Sequence, residues 1–210
     1  MATAHPPLDM VASYAAGSAS SGVALLVETH LRLCASCRTR IRGAEALGAA
    51  FLGAAPAAEM APGARAATLA RLDEAAPEPQ EPRAGGGLPR ALIDAAGAPI
   101  EGLRWRFRMP GVAEADLGLD GEERVSLLRV RPGVGVPGHT HTGIETTLVL
   151  QGALIDRGRT YGPGDVAVAT AEDDHHPKAG PGTDCICLTV MSGGLRFTGA
   201  FGRALNLFAD

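Results

Sequence analysis

The run APEPQEPRAGGGLP at residues 76–89 constrains this chain more than any other feature. Its prolines lack the N–H that a helix interior or a central strand requires, and three consecutive glycines are costly to order. No regular element passes through it, so the chain divides into residues 1–76, a linker at 77–90 and residues 91–210. Composition changes across the break. Residues 1–76 hold 23 alanines with only Tyr14 and Phe51 as aromatics, a mixture of high helix propensity and few strand formers. Beyond the linker come Trp105, Phe107, Tyr161, Phe197, Phe201 and Phe208, an alternating run of Leu103, Trp105, Phe107 and Met109, and frequent turn clusters such as RPGVGVPG, GPGD and AGPG. The expected architecture is α + β in two domains: a small helical bundle, then an all-β sandwich or barrel of short strands.

With 210 residues, 46% of them hydrophobic and 20% charged, the chain can bury one large or two small cores. It has no uninterrupted apolar run of about eighteen residues, so no membrane span is expected. Residues 1–10 carry His5, two prolines and Asp9 where a signal peptide needs a basic start and an apolar run, so the expected location is cytoplasmic. A net charge of −4 and a pI near 5.9 argue against direct binding of a nucleic-acid backbone. The nearest approach to a basic helix, Arg38, Arg40 and Arg42, reads as a solvated face. The four cysteines form two close pairs, Cys34/Cys37 and Cys185/Cys187. In a reducing compartment such pairs suggest metal ligands or redox thiols more than structural bridges.

Spacing predicts a helix from about Gly22 to Ala46, in which Val23, Leu26, Val27, His30, Leu33, Cys34, Cys37 and Ile41 share one stripe. His30, Cys34 and Cys37 stand at i, i+4 and i+7, where an imidazole and two thiolates can converge on one ion. Zinc suits that donor set, and closed Cys₂His₂ sites are common. By elimination the fourth ligand is His5, the other histidine before the linker, just ahead of a second helical segment from about Leu8 to Ala16. The plainer alternative is a metal-free apolar stripe that happens to carry two cysteines and a histidine. The HLRLCASC segment with its distant upstream histidine resembles the zinc-binding domain of bacterial anti-sigma factors. That resemblance covers roughly residues 1–76 and implies that His5, His30, Cys34 and Cys37 are zinc ligands and that the partner is an extracytoplasmic-function sigma factor.

A second set lies in Gly133–Gly152, where His139, His141 and Glu145 share one parity and can project from an extended chain to one face. The spacing G-x₅-H-x-H-x₃-E-x₆-G resembles the first motif of the cupins, a double-stranded β-helix or jelly-roll family. The turn Gly162-Pro163-Gly164-Asp165 suits a looser second motif, after which either His175 or His176 supplies a further ligand. Resemblance to cupins that carry His-x-Pro favours His175, with His176 in reserve. The metal there is zinc or another divalent transition ion, because three imidazoles and a carboxylate do not choose among them.

A zinc-bound helical anti-sigma domain followed by a cupin is similar to the ChrR family of anti-sigma factors. The resemblance implies that the helical domain holds a sigma factor inactive and that the cupin serves its release under stress, notably singlet oxygen. It implies a regulator and not an enzyme. Two alternatives from other classes are a cupin metalloenzyme, dioxygenase- or isomerase-like, whose helices only oligomerise, and a cupin regulator that binds DNA itself. Cys185 and Cys187 alternate on one face of a strand, where they either fill the core or form a reactive pair; a disulfide across two residues of one strand would be strained.

Overall fold

The computed structural model describes residues 2–72 and 90–198. The expected linker therefore lies outside the described residues up to Arg90, as do Phe201 and Phe208. Four helices precede it: α1 (Leu8–Ala15), α2 (Ser21–Leu33), α3 (Ala35–Ala54) and α4 (Ala64–Ala70). A fifth, α5 (Arg90–Ala96), follows it, ahead of the strands.

The single helix expected over 22–46 is broken. Cys34 sits in an extended conformation, φ −127° and ψ 108°, ending α2 and starting α3. On a straight helix Cys37 would stand about 10 Å along the axis from His30. Turning the chain at Cys34 brings the start of α3 back beside the end of α2.

Eleven strands are seen among the described residues: β1 (Arg106–Met109), β2 (Val112–Asp116), β3 (Arg124–Val130), β4 (His139–His141), β5 (Ile144–Gln151), β6 (Leu154–Asp156), β7 (Arg159–Tyr161), β8 (Val166–Ala169), β9 (Lys178–Ala179), β10 (Cys185–Ser192) and β11 (Leu195–Phe197). They form a six-stranded sheet in the order β1-β2-β3-β10-β5-β8, a three-stranded sheet β7-β6-β9 and the pair β11-β4. All pairings are antiparallel. The alternation at 103–109 does not mark a buried strand, because β1 is an edge and Phe107 on it is exposed.

Strand alternation divides the apolar side chains between the two faces of the large sheet. Cys185, Cys187, Val149 and Val130 pack inward with Leu154, Tyr161 and Ala179 from the smaller sheet. Leu188, Val190, Leu127 and Leu148 point outward and are covered by Leu25 and Leu26 of α2 and Leu92 of α5. One outer cluster thus joins residues from both sides of the linker. The N-terminus of α2 is fastened to the β2–β3 connection. Ser20 accepts from Val23 N–H as a helix cap and donates to Glu123 at 2.6 Å, and the Ser21 hydroxyl donates to the Asp120 carbonyl at 2.7 Å.

Candidate metal centres

His5 lies on the segment before α1, His30 in the last turn of α2, Cys34 at the break and Cys37 in the first turn of α3. One ligand atom from each lies within 4.8 Å of all the others. The Nδ1 of His5 is 3.5 Å from both Cys34 Sγ and Cys37 Sγ. His30 Nδ1 is 2.8 Å from the carbonyl oxygen of Gly164. A carbonyl only accepts, so Nδ1 carries the proton and Nε2 keeps its lone pair. That Nε2 is buried with no hydrogen-bond partner. An orphaned imidazole nitrogen facing two thiols and a second histidine fits a tetrahedral ion, with the Gly164 carbonyl orienting the ring from behind.

The electrostatics agree with that fit. Burial, reinforced by His5, holds His30 below its ordinary pKa against the pull of the Gly164 carbonyl, so the ring is neutral and free to ligate. Burial disfavours the Cys34 thiolate, but hydrogen bonds with Ser36 and Cys37 outweigh it and lower its pKa. Burial and the neighbouring Cys34 raise Cys37. The two thiols therefore differ, Cys34 being the readier to ionise.

The second group is built at the mouth of the strands. His139 and His141 lie on β4, Glu145 on β5, and His175 on the connection between β8 and β9. His175 is tied to His139 by two backbone hydrogen bonds, of 2.9 and 3.0 Å. One ligand atom from each of the four lies within 4.8 Å of the others. His139 Nδ1 donates to Pro137 O at 2.7 Å and His175 Nδ1 to Asp156 Oδ2 at 3.0 Å, leaving both Nε2 atoms for the site. The Nε2 atoms of His141 and His175 stand 3.0 Å apart, with Glu145 Oε2 3.5 and 3.8 Å from them. Lone pairs so close call for a proton or a cation between them. Gly143 explains how His141 and Glu145 come to one place: a Cβ there would fall 1.5 Å from the Ser192 carbonyl oxygen, so only glycine lets β4 turn into β5 against β10.

Burial, with His139 and His175 nearby, pushes His141 down to about 4, and burial also lowers His139. Burial raises Glu145. For His175 burial works downward, yet the bond to Asp156 prevails and raises it. Asp156 in turn is held low, against burial, by His175 and Arg157.

The structure brings together each set of four residues singled out in the sequence. Of the two later histidines, His175 is buried within the group and His176 is exposed. Cys185 and Cys187 are free thiols buried in the inner cluster, with Sγ atoms 3.5 Å apart. Arg38, Arg40 and Arg42 lie exposed on α3, Arg38 donating to the Leu31 carbonyl. Sequence reasoning missed Asp156, the carboxylate behind His175, because its only local signal is a position at the end of a short strand.

Residues 95–193 match the family model described as the ChrR cupin-like domain. The chain is 37% identical over 200 residues to the anti-sigma-E factor ChrR of Cereibacter sphaeroides, covering 95% of this chain and 94% of that protein. Its fold superposes with a TM-score of 0.80 on a chain from the crystal structure of Rhodobacter sphaeroides SigE in complex with the anti-sigma ChrR. That match is 36% identical and covers 91% of this chain and 99% of that one. No helix among the described residues is long and apolar enough to cross a membrane. With likeness in sequence and fold running through both the helical and the β region, the chain belongs to the ChrR family of anti-sigma factors.

Proposed function

We propose that this protein is a cytoplasmic anti-sigma factor that binds and inhibits an extracytoplasmic-function sigma factor through residues 1–76. The observation that carries the reading is the nearly full-length likeness to a chain whose solved structure is a complex with SigE. A property of the surface supports it. Six of the ten large apolar side chains left exposed among the described residues, Leu47, Phe51, Leu52, Met60, Leu69 and Leu72, fall between residues 47 and 72. So many uncovered apolar groups on α3, on α4, between them and just after α4 suit a protein partner.

His5, His30, Cys34 and Cys37 would hold zinc, which ties the N-terminal segment to the α2–α3 junction without redox chemistry of its own. His139, His141, Glu145 and His175 would hold zinc or another divalent transition metal, a Lewis-acidic centre. Residues 91–210 then act as the sensing part, whose response to an oxidative signal such as singlet oxygen shifts the bound sigma toward release. Transcription by RNA polymerase loaded with the cognate sigma factor tests this. Added full-length protein is expected to suppress transcripts from sigma-dependent promoters, and a Cys34→Ser, Cys37→Ser variant to suppress them far less. Undiminished transcription at saturating wild-type protein would refute it.

A further inference from the structure

The first residues of a chain are ordinarily its least ordered. His5 nevertheless has to be held in reach of three groups on α2 and α3, and what holds it comes from residues 162–166. The carboxylate of Asp165 is buried, 6% exposed. Through Oδ1 it accepts from the amide of Ala4 at 2.8 Å and from both the amide and the hydroxyl of Thr3. Through Oδ2 it accepts from the amide of Gly162 at 2.8 Å. The next amide, Val166 N–H, donates to the Ala4 carbonyl at 3.1 Å. Both backbone groups of the residue before His5 are therefore fixed by two adjacent residues of the β region. One position earlier, the Gly164 carbonyl takes the Nδ1–H of His30. Gly164 has φ +92°, and a Cβ there would lie 3.3 Å from Leu33 Cβ and 3.5 Å from Ala2 Cβ, so the turn is pressed against both arms of the metal group. The turn is itself anchored to β5: Gly164 N–H donates to Val149 O at 2.8 Å and Val149 N–H to Asp165 O at 3.0 Å.

We infer that Asp165 is a positioning residue for the N-terminal metal centre, clamping Thr3 and Ala4 so that His5 meets the thiols while Gly164 orients His30. This rests on the reading of His5, His30, Cys34 and Cys37 as a metal site. The consequence is that the β region supplies the outer shell of the helical centre. Because the turn hangs on the strand that carries Glu145, displacement of β5 would loosen the metal of the other site.

Cobalt(II) titration of the metal-free full-length protein tests the clamp. Thiolate-to-cobalt charge-transfer absorption reports the Cys34/Cys37 site, and a Cys34→Ser, Cys37→Ser control assigns the band. The histidine and glutamate donors of the other group give none. Two variants attack the clamp from opposite ends: Asp165→Ala removes the acceptor, and Thr3→Pro removes an amide and a hydroxyl donor while leaving the Gly162 cap in the turn intact. Under chelator competition both are expected to lose cobalt affinity at that band by about tenfold or more, the usual effect of removing an outer-shell partner. Cobalt bound outside the band is expected to match the wild type, and Thr3→Pro to keep a cooperative melting transition. Wild-type affinity in Thr3→Pro would overturn the inference whatever Asp165→Ala does. A wild-type protein with no thiolate band would instead overturn the metal reading on which it stands.

Discussion

The imidazole of His30 donates from Nδ1 to the carbonyl oxygen of Gly164 at 2.8 Å, across 134 residues of sequence. A ring on α2 is thus oriented by a turn of the β region, and the two parts of the chain share polar contacts beside the His5, His30, Cys34 and Cys37 group as well as apolar ones on the sheet. The outer cluster reinforces this, since Leu25 and Leu26 are covered by the same sheet that carries Glu145 on β5.

Packing of α2 on that sheet depends on a glycine. A Cβ at Gly22 would lie 2.6 Å from a Glu123 carboxylate oxygen, 2.7 Å from Val125 Cγ2 and 3.0 Å from Val190 Cγ1. Glu123 can swing away, but the two valines belong to the packed core. Gly22→Ala is expected to cost about 1–3 kcal/mol by overpacking, more than the ~0.5–1 kcal/mol that alanine gains in a helix. Gly43→Ala, on α3 with nothing within 4 Å, is the control and is expected to stabilise by about 0.5–1 kcal/mol. Thermal melts of both variants check the pair of signs.

Partner binding is expected to concentrate on the exposed apolar side chains. Phe51 is 70% and Leu52 78% exposed, so polar replacements remove little burial within the free protein. Phe51→Ser and Leu52→Ser are expected to leave the melting temperature within about 1 °C and to weaken sigma binding by about tenfold or more, as for the central residues of an interface. Isothermal titration against the sigma factor measures the second effect, and equal affinity in both variants would move the interface elsewhere.

Acid should detach the N-terminal segment from the turn. Burial alone would raise Asp165, but the amides of Ala4, Gly162 and Thr3 outweigh it and hold its pKa below the ordinary 3.8. A carboxylate depressed in the folded state contributes stability above the unfolded value and loses it as pH falls through the folded one. Melting of metal-free protein is therefore expected to decline with falling pH more steeply below about pH 4 in the wild type than in Asp165→Asn. Parallel declines in the two proteins would contradict the role given to Asp165.

The convergence of both groups of four was legible because three members of each lie close together in the sequence. His30, Cys34 and Cys37 fall within eight residues, and the parity of His139, His141 and Glu145 survives in the strands that carry them. Helical and β character followed from alanine content and alternation. The break at Cys34 was not legible, since its apolar stripe suits a continuous helix and the extended backbone at that residue has no local sequence signal. Nor were Asp156 behind His175, or Asp165 behind His5: each acts through contacts between segments far apart in sequence, for which one chain carries no local pattern. The GPGD turn was visible as a turn, but its hold on Ala4 spans 161 residues.

Capture of a cognate extracytoplasmic-function sigma factor, by the full-length chain with and without its metal, tests the anti-sigma role most directly. The whole chain is the right reagent, because residues 1–76 alone would uncover Leu25 and Leu26 of the outer cluster. The zinc-loaded protein is expected to form a stoichiometric complex that is lost when the metal at His5, His30, Cys34 and Cys37 is removed, with absence of metal verified by elemental analysis. No complex with the loaded protein, or a complex of unchanged affinity after removal, would contradict it.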